Sequence, residues 1–505
     1  MPKATTSRFV VELPLMTEPF QEDVLNRRLE IARGMYNALL TVTMRRYKEM
    51  TKTRRYRTAK EKLAGMNSKM RTCSADERKP LQSEKGALTR ELIALRNEYR
   101  INENAFQMDI RPMQHHFNAN IDCATAQKIA SRLWCAYKAL LYGESTEIHF
   151  KSFGSFNSLE SKSDESGIKL RNGCVKWRGL SIPVKIDQSN EYEIKAMDSE
   201  IAFCRIVRKR VRGKNKFYLQ IVYKGYAPVK TNMTTGKIKH PLGIGDVGLD
   251  IGTQTLAVAS KSDVKLLVLA DRVQSLEEEK FKTREKMERS RKAMNPSNYN
   301  EDGTIKKQQD YNELEWNKSN RFLRYQSQLH ELCRKQAAIR RQQHQIMANM
   351  LLPLGDKFFV EMMDFDGLKQ KVFPSGQNKQ GNVRSQYGRS IEKRGPAKLL
   401  SILDKKLQML GTQLVRVDTW AVKASQYNHI EDSYVKKPLY ERWKEVGGSK
   451  VQRDLYSAFL LMCAGNDLRS IDRAKCFDRF DNFLSLHDIE VQRLAGQNNL
   501  CSMGV

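Results

Sequence analysis

The chain has 505 residues, with 88 Lys and Arg against 58 Asp and Glu, a net charge of +30. So large a cationic excess destabilises a chain by self-repulsion unless its partner is a polyanion, which points to nucleic acid and to salt-sensitive phosphate binding. No apolar run approaches the ~20 residues of a membrane-spanning helix, residues 1–20 lack a signal-peptide core, and the nine Cys are dispersed, odd in number and without zinc-finger spacing, as for reduced thiols in a cytosol.

Two to four domains are expected at this length. Residues 5–14 (TTSRFVVELP) predict a first strand, and residues 20–50 a helix with Leu25, Leu29, Ala32, Met35 and Leu39 on its apolar side. Residues 41–110 are basic and helical, and Arg45, Arg46, Arg54 and Arg55 suit a lobe that grips a duplex by its phosphates. The alternative is a solvated helical face, the usual meaning of a charge run. Residues 145–238 alternate and turn often, predicting strands at 147–150, 167–170, 173–177, 180–184, 203–211 and 217–223. The last two flank RGKNK (212–216), a hairpin turn. The pattern is that of a small barrel, with Arg205, Arg208, Lys209, Arg210 and Arg212 along a basic edge, and 228–241 is a polar linker.

The segment VGLDIGTQTLAVA (247–259) begins a predicted hairpin, which turns at 260–263 and returns over 265–270. Gly248 and Gly252 flank Asp250 on its own face, where absent side chains would admit a nucleic-acid backbone or an ion. A helical insertion follows, 272–293 and 307–350, carrying Arg340 and Arg341, with a turn-rich loop between the two helices. KFFVE (357–361) is a buried strand ending on Glu361, a common placement for a catalytic group in α/β folds. Segment 373–382 predicts a mobile loop beside the site, 413–417 a strand, and 425–443 an insert rich in aromatics and bases, including Tyr427 and Trp443, suited to single-stranded nucleic acid. RDLYSAFLL (453–461) predicts a helix opened by Asp454, and the polar tail beyond 484 is expected to be poorly ordered. Three acids on separate strands and a helix, aimed at one sheet edge, suit two divalent ions that cut a phosphodiester. Carboxylate ligands favour Mg²⁺ or Mn²⁺ over zinc.

These segments resemble the RuvC-type, RNase H-like nuclease domain of TnpB proteins, transposon-encoded relatives of compact type V CRISPR effectors. The first motif is GLDIG (248–252), the second FVE (359–361) with MDF (363–365), and the third Asp454 with Ala458; RGPAKLLSIL (394–403) matches the helix after the second motif. The likeness covers residues 243–465 well and the first half by layout. It implies a multidomain α+β protein. A wedge domain of small-barrel type (1–40 and 144–240) is split by a helical recognition lobe (41–143). The nuclease (241–424 and 451–484) carries the helical insertion and an insert at 425–450, and 485–505 is a tail. The resemblance further implies a guide RNA, a double-stranded target DNA, catalysis and ion binding by Asp250, Glu361 and Asp454, and a prokaryotic cytoplasmic protein that joins the nucleoid when bound to DNA. Monomer or homodimer on the RNA stays open.

Two features depart from the family. Residues 362–453 contain no Cys and one His, so the usual zinc ribbon has no ligands there. Tyr456 stands where Asn is usual. A guided DNA binder without cleavage, and a structure-specific nuclease without a guide, are the alternatives; nothing in the sequence supports a protein that moves transposon ends itself.

Overall fold

Three hairpins in the first half turn on Asn172-Gly173, Arg178-Gly179 and Arg212-Gly213, and all six residues have positive φ. Two successive left-handed residues give the tight turn whose twist matches paired strands, and Gly takes the second position without strain. The computed structural model describes residues 7–72, 75–232, 234–306, 314–369, 386–436, 438, 440–496 and 503. Two units result, 1–227 and 228–505.

In the first unit, strand β1 (Arg8–Pro14) leads into helix α1 (Pro19–Lys52), then α2 (Arg54–Thr72), α3 (Ala75–Glu98), α4 (Glu103–Asp109), α5 (Arg111–His116) and α6 (Cys123–Leu141). The later part holds β2 (Ser158–Glu160), β3 (Lys169–Arg171), β4 (Cys174–Trp177), β5 (Leu180–Pro183), α7 (Glu191–Met197), β6 (Ile201–Val211) and β7 (Lys214–Lys224). One antiparallel sheet runs β1-β7-β6-β2 and a second β3-β4-β5, joined by a bridge between Leu15 and Val184. Both sheets and the helices share one apolar core. Arg28 ties them: its guanidinium stacks on Trp177 and donates to the carbonyls of Trp177 and Arg178.

The expected boundary at residue 40 falls inside α1, which runs unbroken past it. The strand expected at 147–150 is irregular, and α7 interrupts the alternating region instead. Four residues show no period long enough to separate a strand from a loop.

The second unit opens with β8 (Asp246–Ile251), β9 (Thr255–Ser260) and β10 (Val264–Val268), an antiparallel meander. The stretch 247–260 is thus two strands rather than one, broken at Gly252. Helices α8 (Gln274–Met294) and α9 (Asn320–Leu351) form the insertion, packed against each other. Then come β11 (Lys357–Glu361), α10 (Phe365–Lys369), α11 (Gln386–Arg394), α12 (Pro396–Met409) and β12 (Leu414–Val417). The five-stranded sheet has the order β10-β9-β8-β11-β12, with β11 parallel to both β8 and β12. The loop expected at 373–382 lies outside the described residues.

After β12, α13 (Thr419–Val422) precedes two small hairpins, β13 (Tyr427–Asn428) with β14 (Ser433–Tyr434) and β15 (Trp443–Val446) with β16 (Ser449–Gln452). Helix α14 (Arg453–Met462) lies on β8, β9 and β11, and α15 (Arg473–Ala495) closes the β10 edge, where Glu490 accepts the Leu266 N–H. The carboxylate satisfies one backbone donor of an otherwise open strand edge. The expected disordered tail is therefore helical to Ala495, because Phe480, Phe483, His487, Glu490 and Leu494 bury one face.

Candidate active site

Parity along β8 decides where Asp250 points. Val247, Leu249 and Ile251 face one side and are buried, and Gly248 and Asp250 face the other, onto which α14 packs. A Cβ on Gly248 would lie 1.9 Å from the Ala458 carbonyl oxygen and 2.5 Å from the Met462 nitrogen. The glycine therefore serves close helix–sheet approach, and not an approaching nucleic acid as expected. On α14, Asp454, Ser457, Ala458 and Leu461 recur at helical spacing on one face. Asp454 and Ser457 thereby come over Asp250, and the Ser457 hydroxyl donates to the Arg453 carbonyl at 3.0 Å.

Glu361 ends β11, in register with Val417 of β12. Its carboxylate accepts the Ala424 N–H, and burial nevertheless raises its pKa. Asp250 is pushed well above the usual carboxylate range, first by burial, then by the charges of Asp454 and Glu361, with Arg453 opposing. Asp250 thus feels the charges of the two other acids the sequence singled out.

Asp454 is held by two arginines, Arg442 at 3.5 Å and Arg453 at 3.7 Å. Among the described residues no group of three His, Cys, Asp or Glu side chains stands close enough together to hold a metal ion. By donor chemistry alone, three carboxylates with oxygen atoms only are of the type that hard divalent cations prefer.

The basic candidates differ in exposure and pairing. Arg45, Arg54, Arg55 and Arg210 are exposed, Arg55 also facing Glu98, whereas the partly buried Arg46 pairs with Asp109 and Lys209 with Glu12. Arg208 does not line a basic edge as expected. It is 8% exposed, and its guanidinium donates to Asn157, Asn26 and the Gly154 carbonyl. It shares parity with buried Cys204 and Ile206, so it faces inward.

Arg340 and Arg341 line a cavity of about 880 Å³ between α9, α11 and α12, with Arg389, Lys398 and Lys405 also on its wall and Glu392 as its acid. Arg340 also donates to the backbone carbonyls of Glu392 and Lys393. Helix α11 is tied to the β8–β9 turn by Ser390, which donates to the Thr253 carbonyl. Ser457, Arg442, Arg389, Lys398 and Lys405 were not singled out in the sequence; Ser457, three residues after Asp454, was legible from helical spacing.

In the insert, Tyr427 is buried and donates to Asp432, which corrects its expected part in binding nucleic acid. Trp443 is half-buried, between the His487 ring and Lys450. His429 is fully buried among Tyr456, Phe459 and Phe480, and its Nδ1 bonds the Tyr456 hydroxyl. Tyr456 thus anchors the insert to α14 by packing. Burial, then Arg473 and Lys444, lowers the His429 pKa from 6.5 to about 4. The unfolded chain takes up this proton near pH 6.5 and the folded chain only near 4, so the His429 contribution to stability declines as pH falls through that window. Thermal midpoints between pH 6.5 and 4.5 should therefore fall less steeply in His429→Gln than in the parent chain; parallel slopes would refute the assignment.

No family model and no curated protein matches the sequence. Among solved structures, the chain is similar to the protein of a cryo-EM Cas12f1–sgRNA–target DNA complex, at a TM-score of 0.42 and 11% identity, covering 90% of this chain and 98% of that one. It is also similar to a chain of a CRISPR-Cas12f ternary complex, at a TM-score of 0.25 and 12% identity, covering 88% and 82%. Scores this low describe a loose likeness of layout and assign no activity.

Proposed function

We propose that this chain is an RNA-guided DNA endonuclease of the TnpB and compact type V kind, with an RNase H-like nuclease in its second unit. The observation that supports the reading is that Asp250, on the strand face covered by α14, has its pKa raised by burial and by the charges of Asp454 and Glu361, acids from the two other motifs. The element order also follows the one the motifs imply: acid-bearing strand, two returning strands, helical insertion, acid-bearing strand, helix, strand, insert, acid-bearing helix.

In this reading Asp250, Glu361 and Asp454 hold two Mg²⁺ or Mn²⁺ ions. Bound there, the ions would supply a hydroxide at neutral pH and stabilise the leaving oxygen. The Ala424 N–H orients Glu361. Arg442 and Arg453 offset the charge of Asp454. The basic first unit and the α9–α12 cavity contact the guide and target phosphates, while base pairing supplies sequence specificity.

The test is to sequence the RNA that co-purifies with the chain expressed with its native flanking DNA. A single structured RNA with a variable end is expected. Random cellular fragments would favour a structure-specific nuclease. The cavity adds a second expectation. Changing Arg341, Arg389, Lys398 and Lys405 together to Gln should lower the slope of log affinity against log salt by about 2–4, near 0.9 per lost phosphate contact. An unchanged slope would remove the cavity from the interface.

A further inference from the structure

Trp420 is 88% exposed. Tryptophan is highly buried on average, and a bare indole on a rigid segment is a surface that something covers. The backbone beneath it is pinned. Asp418 caps α13 by accepting the N–H groups of Trp420 and Ala421 at 3.0 and 3.2 Å, and its own N–H donates to the Leu468 carbonyl. Thr419 donates to the Met362 carbonyl at 3.0 Å, and the Ala424 N–H donates to Glu361 itself. Residues on both sides of Trp420 are thus bonded to the strand end that carries a catalytic carboxylate. Met362, beside Glu361, is 54% exposed, Lys423 is an exposed cation three residues after Trp420, and the exposed Arg469 pairs with Asp418 at 3.5 Å. An aromatic face bordered by cations is the composition of a platform for single-stranded nucleic acid.

We propose that Trp420 stacks on an unpaired base of the DNA strand being cut, beside the scissile phosphate, and so positions that phosphate at Asp250, Glu361 and Asp454. The proposal rests on the nuclease reading. Stacking serves any sequence, because every base has a π-face, and this suits an enzyme whose specificity comes from base pairing.

The experiment uses the RNA-loaded full chain and a matched DNA target in Mg²⁺. Trp420→Ala should cut roughly tenfold more slowly at saturating target, with target binding unchanged, and Trp420→Phe should recover most of the rate. Abasic sites are then moved one position at a time along the cut strand. One position next to the cut should slow the parent chain to the Trp420→Ala rate and leave Trp420→Ala unaffected. A Trp420→Ala chain that cuts at the parent rate, while Asp250→Asn does not cut, overturns the stacking and leaves the nuclease reading intact. A parent chain that makes no cut overturns both. A Trp420→Ala chain that changes oligomeric state overturns the proposal in favour of a contact between copies.

Discussion

Asp250→Asn is expected to abolish cutting, by about a hundredfold or more, while RNA and DNA binding persist and the thermal midpoint of the metal-free chain rises. Asp250 sits in a half-buried position against Asp454 and Glu361, and burial and both charges disfavour its ionised form. An amide of the same shape carries no charge and removes the repulsion. It also removes a hard anionic ligand. The two effects separate function from stability: the variant loses the reaction and gains in folding. Glu361→Gln should behave the same way, since its pKa is also raised. Cleavage rate, filter binding and a thermal scan with and without Mg²⁺ check the set. Undiminished cutting by either variant would remove the carboxylates from the chemistry.

Gly248→Ala is expected to lose activity and stability together. The added carbon would sit 1.9 Å from the Ala458 carbonyl oxygen, where real contacts are never closer than 3.0 Å. Neither the strand nor the helix backbone can yield by a side-chain rotation, so α14 must withdraw, and Asp454 withdraws with it. Overpacking of this kind costs about 1–3 kcal/mol, occasionally more. The pairing with Asp250→Asn is informative: one variant should raise the midpoint and the other lower it, though both stop cutting. A Gly248→Ala chain with the parent midpoint and rate would contradict the packing of α14 on β8.

The three acids were legible because each lies in a strongly patterned segment: alternating β-branched residues around Asp250, an apolar run before Glu361, a helical period after Asp454. What the patterns missed is mostly parity and partnership. Arg208 reads as one of a row of bases, but it shares parity with Cys204 and Ile206 and is buried. Gly248 reads as open space and proves to be a contact, because what fills that space, α14, comes from 210 residues later. The tail reads as polar because the buried face of α15 recurs only every third or fourth residue and two of its members, His487 and Glu490, are themselves polar. Trp420 carries no signal of its own, since an exposed and a buried tryptophan are alike in sequence.

The most direct measurement is cleavage of a DNA duplex matched to the co-purified RNA, in Mg²⁺ or Mn²⁺ and again in EDTA. Cutting with either ion, none in EDTA, and none by Asp250→Asn under any condition is the predicted result. Cutting that persists in EDTA would contradict a divalent-ion site built from Asp250, Glu361 and Asp454.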